Sequence, residues 1–165
     1  MTITLSIDAM GGDHAPWVII QGLELAAQRY PSVHFLLYGD KETVDLLLAK
    51  SKILTNRVTF IHCSEVVTPE TKPSAAVRGL QDSSMRQSIK AVVEGKAQGV
   101  ISAGNTGAYM ALAKLLLRTI PGVDRPALAS LAPTLTGETV LLDLGANVEC
   151  TPNNLQQFAI MGEIF

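Results

Sequence analysis

The chain reads as an α/β protein with a mostly parallel central sheet covered on both faces. The first ground is alternation: short β-branched, apolar runs take turns with longer stretches whose apolar residues recur at helical spacing. The second is composition. Hydrophobic residues make up 47% and charged residues 17% of the chain, with mean hydropathy +0.26, so much of it must be interior and disorder is excluded. The third is that three of the strand runs end in glycine and polar residues together, the usual edge for ligands in such sheets.

Residues 2–7 alternate β-branched and apolar positions and form the first expected strand. Residues 17–30 place Val18, Leu25 and Ala26 among apolar neighbours at helical spacing. A compact apolar run at 33–38 gives a second strand, and 41–50 gives a helix with Val44, Leu47 and Leu48 on one face. Residues 57–61 form a third strand, followed by the longest irregular span, 64–72, a surface loop. Pro73 opens a helix at its first turn, continued or kinked near Gly79. Residues 85–98 form another helix with Gly99 as its stop, and 99–102 a further strand. A helix begins near Thr106 and runs through 109–118; 127–131 and 139–142 are the last strand candidates. From Pro152, residues 154–165 read as a helix still running, without a glycine cap or basic last turn, so a longer polypeptide is expected. At 165 residues the chain suits one domain, 1–165, with about two-thirds of its unfolded surface buried.

Net charge is −2, which gives no general attraction for nucleic acid or anionic lipid. Cys63 and Cys150 are isolated thiols with no C-x-x-C spacing; a reducing cytoplasm is expected, with both buried as small hydrophobes rather than nucleophiles. The first residues lack a basic-then-apolar pattern, and no apolar run approaches the ~18 residues of a membrane span. No His, Cys and carboxylate cluster has metal-ligand spacing, so no metal is expected, and His34 and His62 read as packing residues. No G-x-G-x-x-G follows the first strand, which argues against a nucleotide-dependent dehydrogenase.

The most informative stretch is 99–108. An apolar strand stops at Ser102 and turns through Gly104 and Gly107 into a helix start, with Asn105 and Thr106 adding side-chain donors. Such a junction aims backbone N–H groups and the positive end of a helix dipole at one spot, where an anion is stabilised. An ordinary β–α turn with glycines for tight packing is the rival reading. Two other strand ends have the same character: Asp8-Ala-Met-Gly-Gly-Asp-His-Ala-Pro16 and Asp143-Leu-Gly-Ala-Asn147. Their common position suggests one cleft.

Seven segments carry a family resemblance: Asp8 to Pro16, Lys72-Pro-Ser-Ala-Ala-Val-Arg78, Ser83-Ser-Met-Arg86, Ser102-Ala-Gly-Asn-Thr-Gly-Ala108, Arg125-Pro-Ala127, Asp143 to Asn147, and Gln157-Phe-Ala-Ile-Met-Gly162. In this order they resemble the bacterial PlsX family of acyl-ACP:phosphate acyltransferases, nearly end to end. The resemblance implies transfer of a fatty acyl group from acyl carrier protein to inorganic phosphate, giving acyl phosphate for phospholipid synthesis without a cofactor. It also implies a homodimer of a three-layer α/β/α fold related to isocitrate dehydrogenase and phosphotransacetylase. Peripheral association with the inner face of the membrane and a downstream glycerol-3-phosphate acyltransferase belong to the same expectation. Thr71 replaces the family's usual acid and Tyr109 its usual Leu. The family's second half, with a Gly-Glu-rich loop and an Asp-Gly-Phe-x-Gly-Asn segment, has no counterpart, so the chain matches the N-terminal half of a catalytic domain.

For that chemistry phosphate brings its own nucleophile, and the protein must hold it and stabilise the developing oxyanion. The expected cradle is Gly11, Gly12, Ser102, Gly104, Asn105, Thr106 and Gly107, with Lys72, Arg78 and Arg86 as candidate cations; a surface ion pair is the rival reading for each, and the family resemblance favours Lys72 and Arg86 as ligands. Asp8, at a strand end, would orient a donor or cap the next turn. Asp13 is a substrate-binding or capping residue, and His14 is the candidate proton carrier, with a loop role as its rival. Asn147 would donate through its amide while Asp143 fixes the loop, an Asx-turn being the alternative for both. An acetyl phosphate-forming transferase that uses coenzyme A, or a non-catalytic binding module, are the rival functions on the same architecture.

Overall fold

A computed structural model describes residues 3–147 and 149–165, which divide into one unit ending at Leu117 and another spanning Arg118–Phe165. In the first unit, β1 (Ile3–Asp8) lies inside a four-stranded sheet between β2 (Val33–Gly39) and β4 (Gly99–Ile101), with β3 (Val58–His62) beyond β2. All pairings are parallel: Ile3 opposes Val33, Leu5 opposes Gly99, and Phe35 opposes Val58. The chain adds β2 and β3 on one side of β1 and then returns to place β4 on the other. That reversal makes the carboxyl ends of β1 and β4 the topological switch point, where a crevice opens in such sheets.

Alternation along β2 sorts the helices onto two faces. Phe35 and Leu37 pack with Ile20, Leu23 and Ala27 of α1 (Trp17–Arg29) and with Val44 of α2 (Lys41–Leu48). Leu36 and Tyr38 point the other way, toward Cys63 and toward Ala91 of α4 (Ser84–Val93). On that face, Met85 and Ile89 of α4 pack with Ala76 of α3 (Pro73–Arg78) and with Ala108 and Leu112 of α5 (Thr106–Leu117). Ser6 also faces α4, its hydroxyl donating to the Ser88 carbonyl at 2.8 Å.

Helix α4 ends sooner than the expected 98, because Gly95 takes φ +70° and its amide returns to the Val92 carbonyl at 3.0 Å. The stop signal is Gly95 rather than Gly99. Likewise α3 does not continue through Gly79, which caps it by donating to the Ala75 carbonyl at 2.8 Å.

The second unit departs most from expectation. β5 (Ala129–Thr134) and β6 (Gly137–Leu142) form a separate two-stranded antiparallel sheet instead of joining the parallel one. Only Leu135 and Thr136 separate them, and a connection that short permits a hairpin but never a parallel crossover. Helix α6 (Pro152–Ile164) follows, opened by a capping box in which Thr151 and Asn154 satisfy each other's backbone N–H. Among the described residues, no helix is long and apolar enough to cross a membrane.

Candidate functional site

Strand β1 ends in a carboxylate that is only 2% exposed. Asp8 accepts from the Ser84 hydroxyl at 2.6 Å, the Ser102 hydroxyl at 2.7 Å and the Met10 amide at 3.1 Å. Sequence placed it facing a cleft; the structure places it behind the loops, orienting two hydroxyls and capping the next turn.

Two of the glycine-bearing strand ends converge. A Cβ on Gly11 would lie 2.7 Å from Asp8 Oδ2, 2.8 Å from the Gly104 nitrogen and 2.8 Å from Ser102 Oγ, so no larger residue fits. A Cβ on Gly104 would meet Met85 Cε at 2.8 Å and Gly11 Cα at 3.2 Å. Gly12 holds φ +108°, a conformation side chains rarely adopt. With side chains absent at these points, the two backbones touch, and a cleft of about 470 Å³ opens above them. Met10, Gly12 and Asp13 form one wall, Val66 to Pro69 a second, and Ala103 to Gly107 the third.

The third wall is the start of α5. Asn105 Oδ1 accepts from the Ala108 amide at 3.0 Å, and the two residues between them, Thr106 and Gly107, line the cleft and carry first-turn N–H groups that a helix cannot satisfy internally. Helix polarity adds partial positive charge at the same place. Asn105 itself departs from the donor role expected of it. Its amide group donates to the carbonyls of Thr68 (3.3 Å), Pro69 (2.9 Å) and Thr71 (3.0 Å), so it fastens the second wall to the third rather than reaching a ligand.

None of the candidate cations lines this cleft. Arg86, only 9% exposed, turns its guanidinium to the Val77 carbonyl at the end of α3, 2.9 Å away. Arg78 donates to the Ser74 carbonyl at 3.3 Å. Lys72 is exposed at the cap position of α3. Val77 lies in the last turn of α3, where carbonyls lack an intrahelical partner, and Arg86 satisfies one of them, while Arg78 reaches back along its own helix. Among the described residues, Asp13 is therefore the one ionisable residue on the walls. It provides no side-chain cap to α1, whose cap position is Pro16. His14 follows it, exposed on the same turn.

His34, His62 and Cys63 lie away from the cleft walls. His34 Nε2 pairs with the Thr59 hydroxyl at 2.8 Å, and His62 Nδ1 accepts from the Lys41 amide at 3.2 Å. Burial, reinforced by Asp82 and Asp8, pushes the Cys63 thiol up to about 12, so it is inert as a nucleophile at neutral pH. Among the described residues, no group of His, Cys, Asp and Glu is arranged to hold a metal ion.

The third polar strand end, 143–147, belongs to the second unit. Asp143, at φ +62°, accepts from the Asn147 backbone amide at 3.2 Å and its side-chain amide at 2.8 Å. Asn147 also donates to the Pro126 carbonyl at 3.1 Å. Both side chains close their own loop, the Asx-type alternative, and Cys150 joins them by donating to Asp143 at 3.5 Å.

Sequence reasoning missed Ser84 and the Val66 to Pro69 wall. Ser84 stands in the resemblance segment Ser83 to Arg86, but its role depends on Asp8, 76 positions away, and the wall is fixed by Asn105 from 34 or more positions away.

Similarity to known proteins follows the same lines. Phosphate acyltransferase of Rhodospirillum rubrum is 54% identical over 164 residues, covering 99% of this chain and 47% of the relative. That of Wolbachia pipientis is 50% identical over 167 residues, covering 99% and 48%. The chain spans about half the length of the curated relatives it matches. Among solved structures, a phosphotransacetylase from Streptococcus pyogenes superposes with TM-score 0.69 at 18% identity, over 96% of this chain and 52% of that one, a likeness of fold. The model of the fatty acid synthesis protein family matches residues 3–165, and with it the chain belongs to the family of these phosphate acyltransferases.

Proposed function

We propose that this chain carries the phosphate-holding part of an enzyme that moves a fatty acyl group from acyl carrier protein to inorganic phosphate, releasing acyl phosphate. The observation that supports it best is the cleft at the ends of β1 and β4, lined by the first residues of α5 and, among the described residues, by no Lys or Arg. The relatives' name, phosphate acyltransferase, supports the same reaction class.

In this reading a phosphate oxygen attacks the thioester carbonyl carbon. The new C–O bond forms as the C–S bond breaks, and the carrier's thiolate leaves and takes a proton. A cradle of backbone N–H groups suits this step, because it holds the anion without capping its attacking oxygen in an ion pair. Thr106 and Gly107 hold the phosphate. Asn105 keeps the facing wall in place, and His14, on the turn that continues from Asp13, supplies the proton to the thiolate.

The test is acyl phosphate formation from long-chain acyl carrier protein and inorganic phosphate, by this chain alone and by the chain joined to the remaining half of the family sequence. Phosphate binding by the short chain with turnover by the long one upholds the reading. Product from acyl coenzyme A alone moves the protein to the phosphotransacetylase class. Phosphate binding with no turnover by either leaves only a binding module.

A further inference from the structure

We propose that Asp8 is a positioning residue for this cleft, acting with Ser84 and Ser102 as a buried lock that sets where the Gly11 and Gly104 backbones stand. The proposal rests on the phosphate reading of the cleft and assigns a task to the one buried carboxylate among the described residues, which the mechanism leaves unused.

Removing a carboxylate from water is costly unless its oxygens are hydrogen-bonded, and no Lys or Arg pairs with Asp8 among the described residues. Hydroxyls do the work of a cation here. A carboxylate only accepts, so the direction of the network is fixed. Ser84 and Ser102 must each give Asp8 their single proton. The Ser102 oxygen, its proton committed, is left with lone pairs, and one of these receives the Gly104 amide at 3.2 Å. The chain of donors therefore runs from Gly104 through Ser102 to Asp8, with Ser84 closing it from α4. Bonds arranged in this sense polarise one another.

The lock ties together the end of β1, the start of α4 and the loop after β4, elements 76 and 94 residues apart along the chain. None of its three side chains lines the cleft, so each acts only through the backbone in front of it. That backbone is close: Asp8 Oδ2, Ser102 Oγ and the Gly104 nitrogen all come within 2.8 Å of where a Gly11 side chain would begin. Gly104 leads directly into Asn105, Thr106 and Gly107, so its placement sets the first turn of α5.

Titration of this chain with inorganic phosphate, together with amide hydrogen exchange at Gly104, tests the proposal in Ser84→Ala, Ser102→Ala and Ser88→Ala. Ser88 is the control, equally buried but with its hydroxyl donating within α4 to the Met85 carbonyl at 2.8 Å. Ser84→Ala is expected to weaken phosphate about tenfold and to speed Gly104 exchange, as for loss of one hydrogen bond in a coupled network. Ser102→Ala should do the same, and the double variant should be no worse than either alone. Ser88→Ala should lower the melting temperature and change neither readout. If Ser84→Ala behaves like Ser88→Ala, the lock is overturned while the phosphate reading stands. If the parent chain binds no phosphate, the phosphate reading falls. Faster Gly104 exchange in Ser84→Ala would then uphold the lock, and unchanged exchange would overturn it as well.

Discussion

Gly11 and Gly104 meet backbone to backbone at the switch point of the sheet, so near that a Cβ on Gly104 would stand 3.2 Å from Gly11 Cα. The contact joins the loops that follow β1 and β4, and it exists because neither residue has a side chain. The cleft above it takes its shape from that approach.

Gly11→Ala is the direct test. Its methyl would fall 2.7 Å from Asp8 Oδ2 and 2.8 Å from the Gly104 nitrogen, and neither a buried carboxylate nor a backbone atom can move aside cheaply. Overpacking of this kind costs about 1–3 kcal/mol. Urea denaturation should show that loss, and phosphate titration should show weaker binding. An unchanged midpoint would mean that the loops are looser than the structure describes.

Asn105 has two jobs that substitutions can separate. Asn105→Asp keeps an oxygen for the Ala108 amide but removes the donors to Thr68, Pro69 and Thr71, whereas Asn105→Ala removes both functions. The alanine variant should lose about 1 kcal/mol through the missing cap, and the aspartate variant little of that. Both should release the 68–71 wall, seen as faster amide exchange at Thr71, whose N–H donates to the Thr68 carbonyl at 3.1 Å. In the full-length enzyme both should lose most acyl phosphate formation; near-normal turnover in either would sink the wall-fixing role.

Much of the first unit was legible in the sequence because its elements are set by local pattern. The run at 33–38 and the described part of the alternation, 3–7, are strands of the core sheet, Thr2 lying outside the described residues, and Thr106 does open a helix. The hairpin of the second unit was not legible, since strand candidates at 127–131 and 139–142 leave seven residues, 132–138, between them, whereas β5 and β6 extend inward until only Leu135 and Thr136 remain. Glycines at the cleft were readable, because only a missing side chain permits such an approach. The partners of polar residues were not. Chemical type makes Asn105 a ligand donor and the family resemblance makes Arg86 one, whereas in the structure long-range packing brings both to carbonyls.

Cys63 gives a prediction in pH. Its thiol is raised to about 12 in the folded chain, chiefly by burial, against about 8.5 when unfolded. Above the unfolded value the unfolded state releases this proton and the folded state keeps it, so stability falls as pH rises. The contribution is intact below about pH 8.5 and declines toward the folded value near 12. Urea midpoints measured from pH 8 to 11 should drop less steeply in Cys63→Ala than in the parent, at moderate cost to packing. Parallel slopes would show that the thiol does not titrate differently on folding. At pH 7.5 a thiol reagent should label Cys63 only after unfolding.

Thr106→Pro isolates the backbone contribution to anion binding. Proline suits the first position of a helix, where its missing N–H has no intrahelical partner and its fixed φ matches the helix. Helix α5 should therefore persist, with stability within about 1 kcal/mol of the parent. What disappears is one of the donors at the cleft, so inorganic phosphate should bind about tenfold more weakly. Thr106→Ser, which keeps the amide and the hydroxyl, should bind as the parent does. Thr106→Ala separates the two donors: if it weakens phosphate as much as the proline does, the hydroxyl is the ligand and the backbone cradle is refuted. If it binds normally while the proline variant fails, the anion is held by the start of the helix itself, which explains how a cleft without Lys or Arg takes a phosphate.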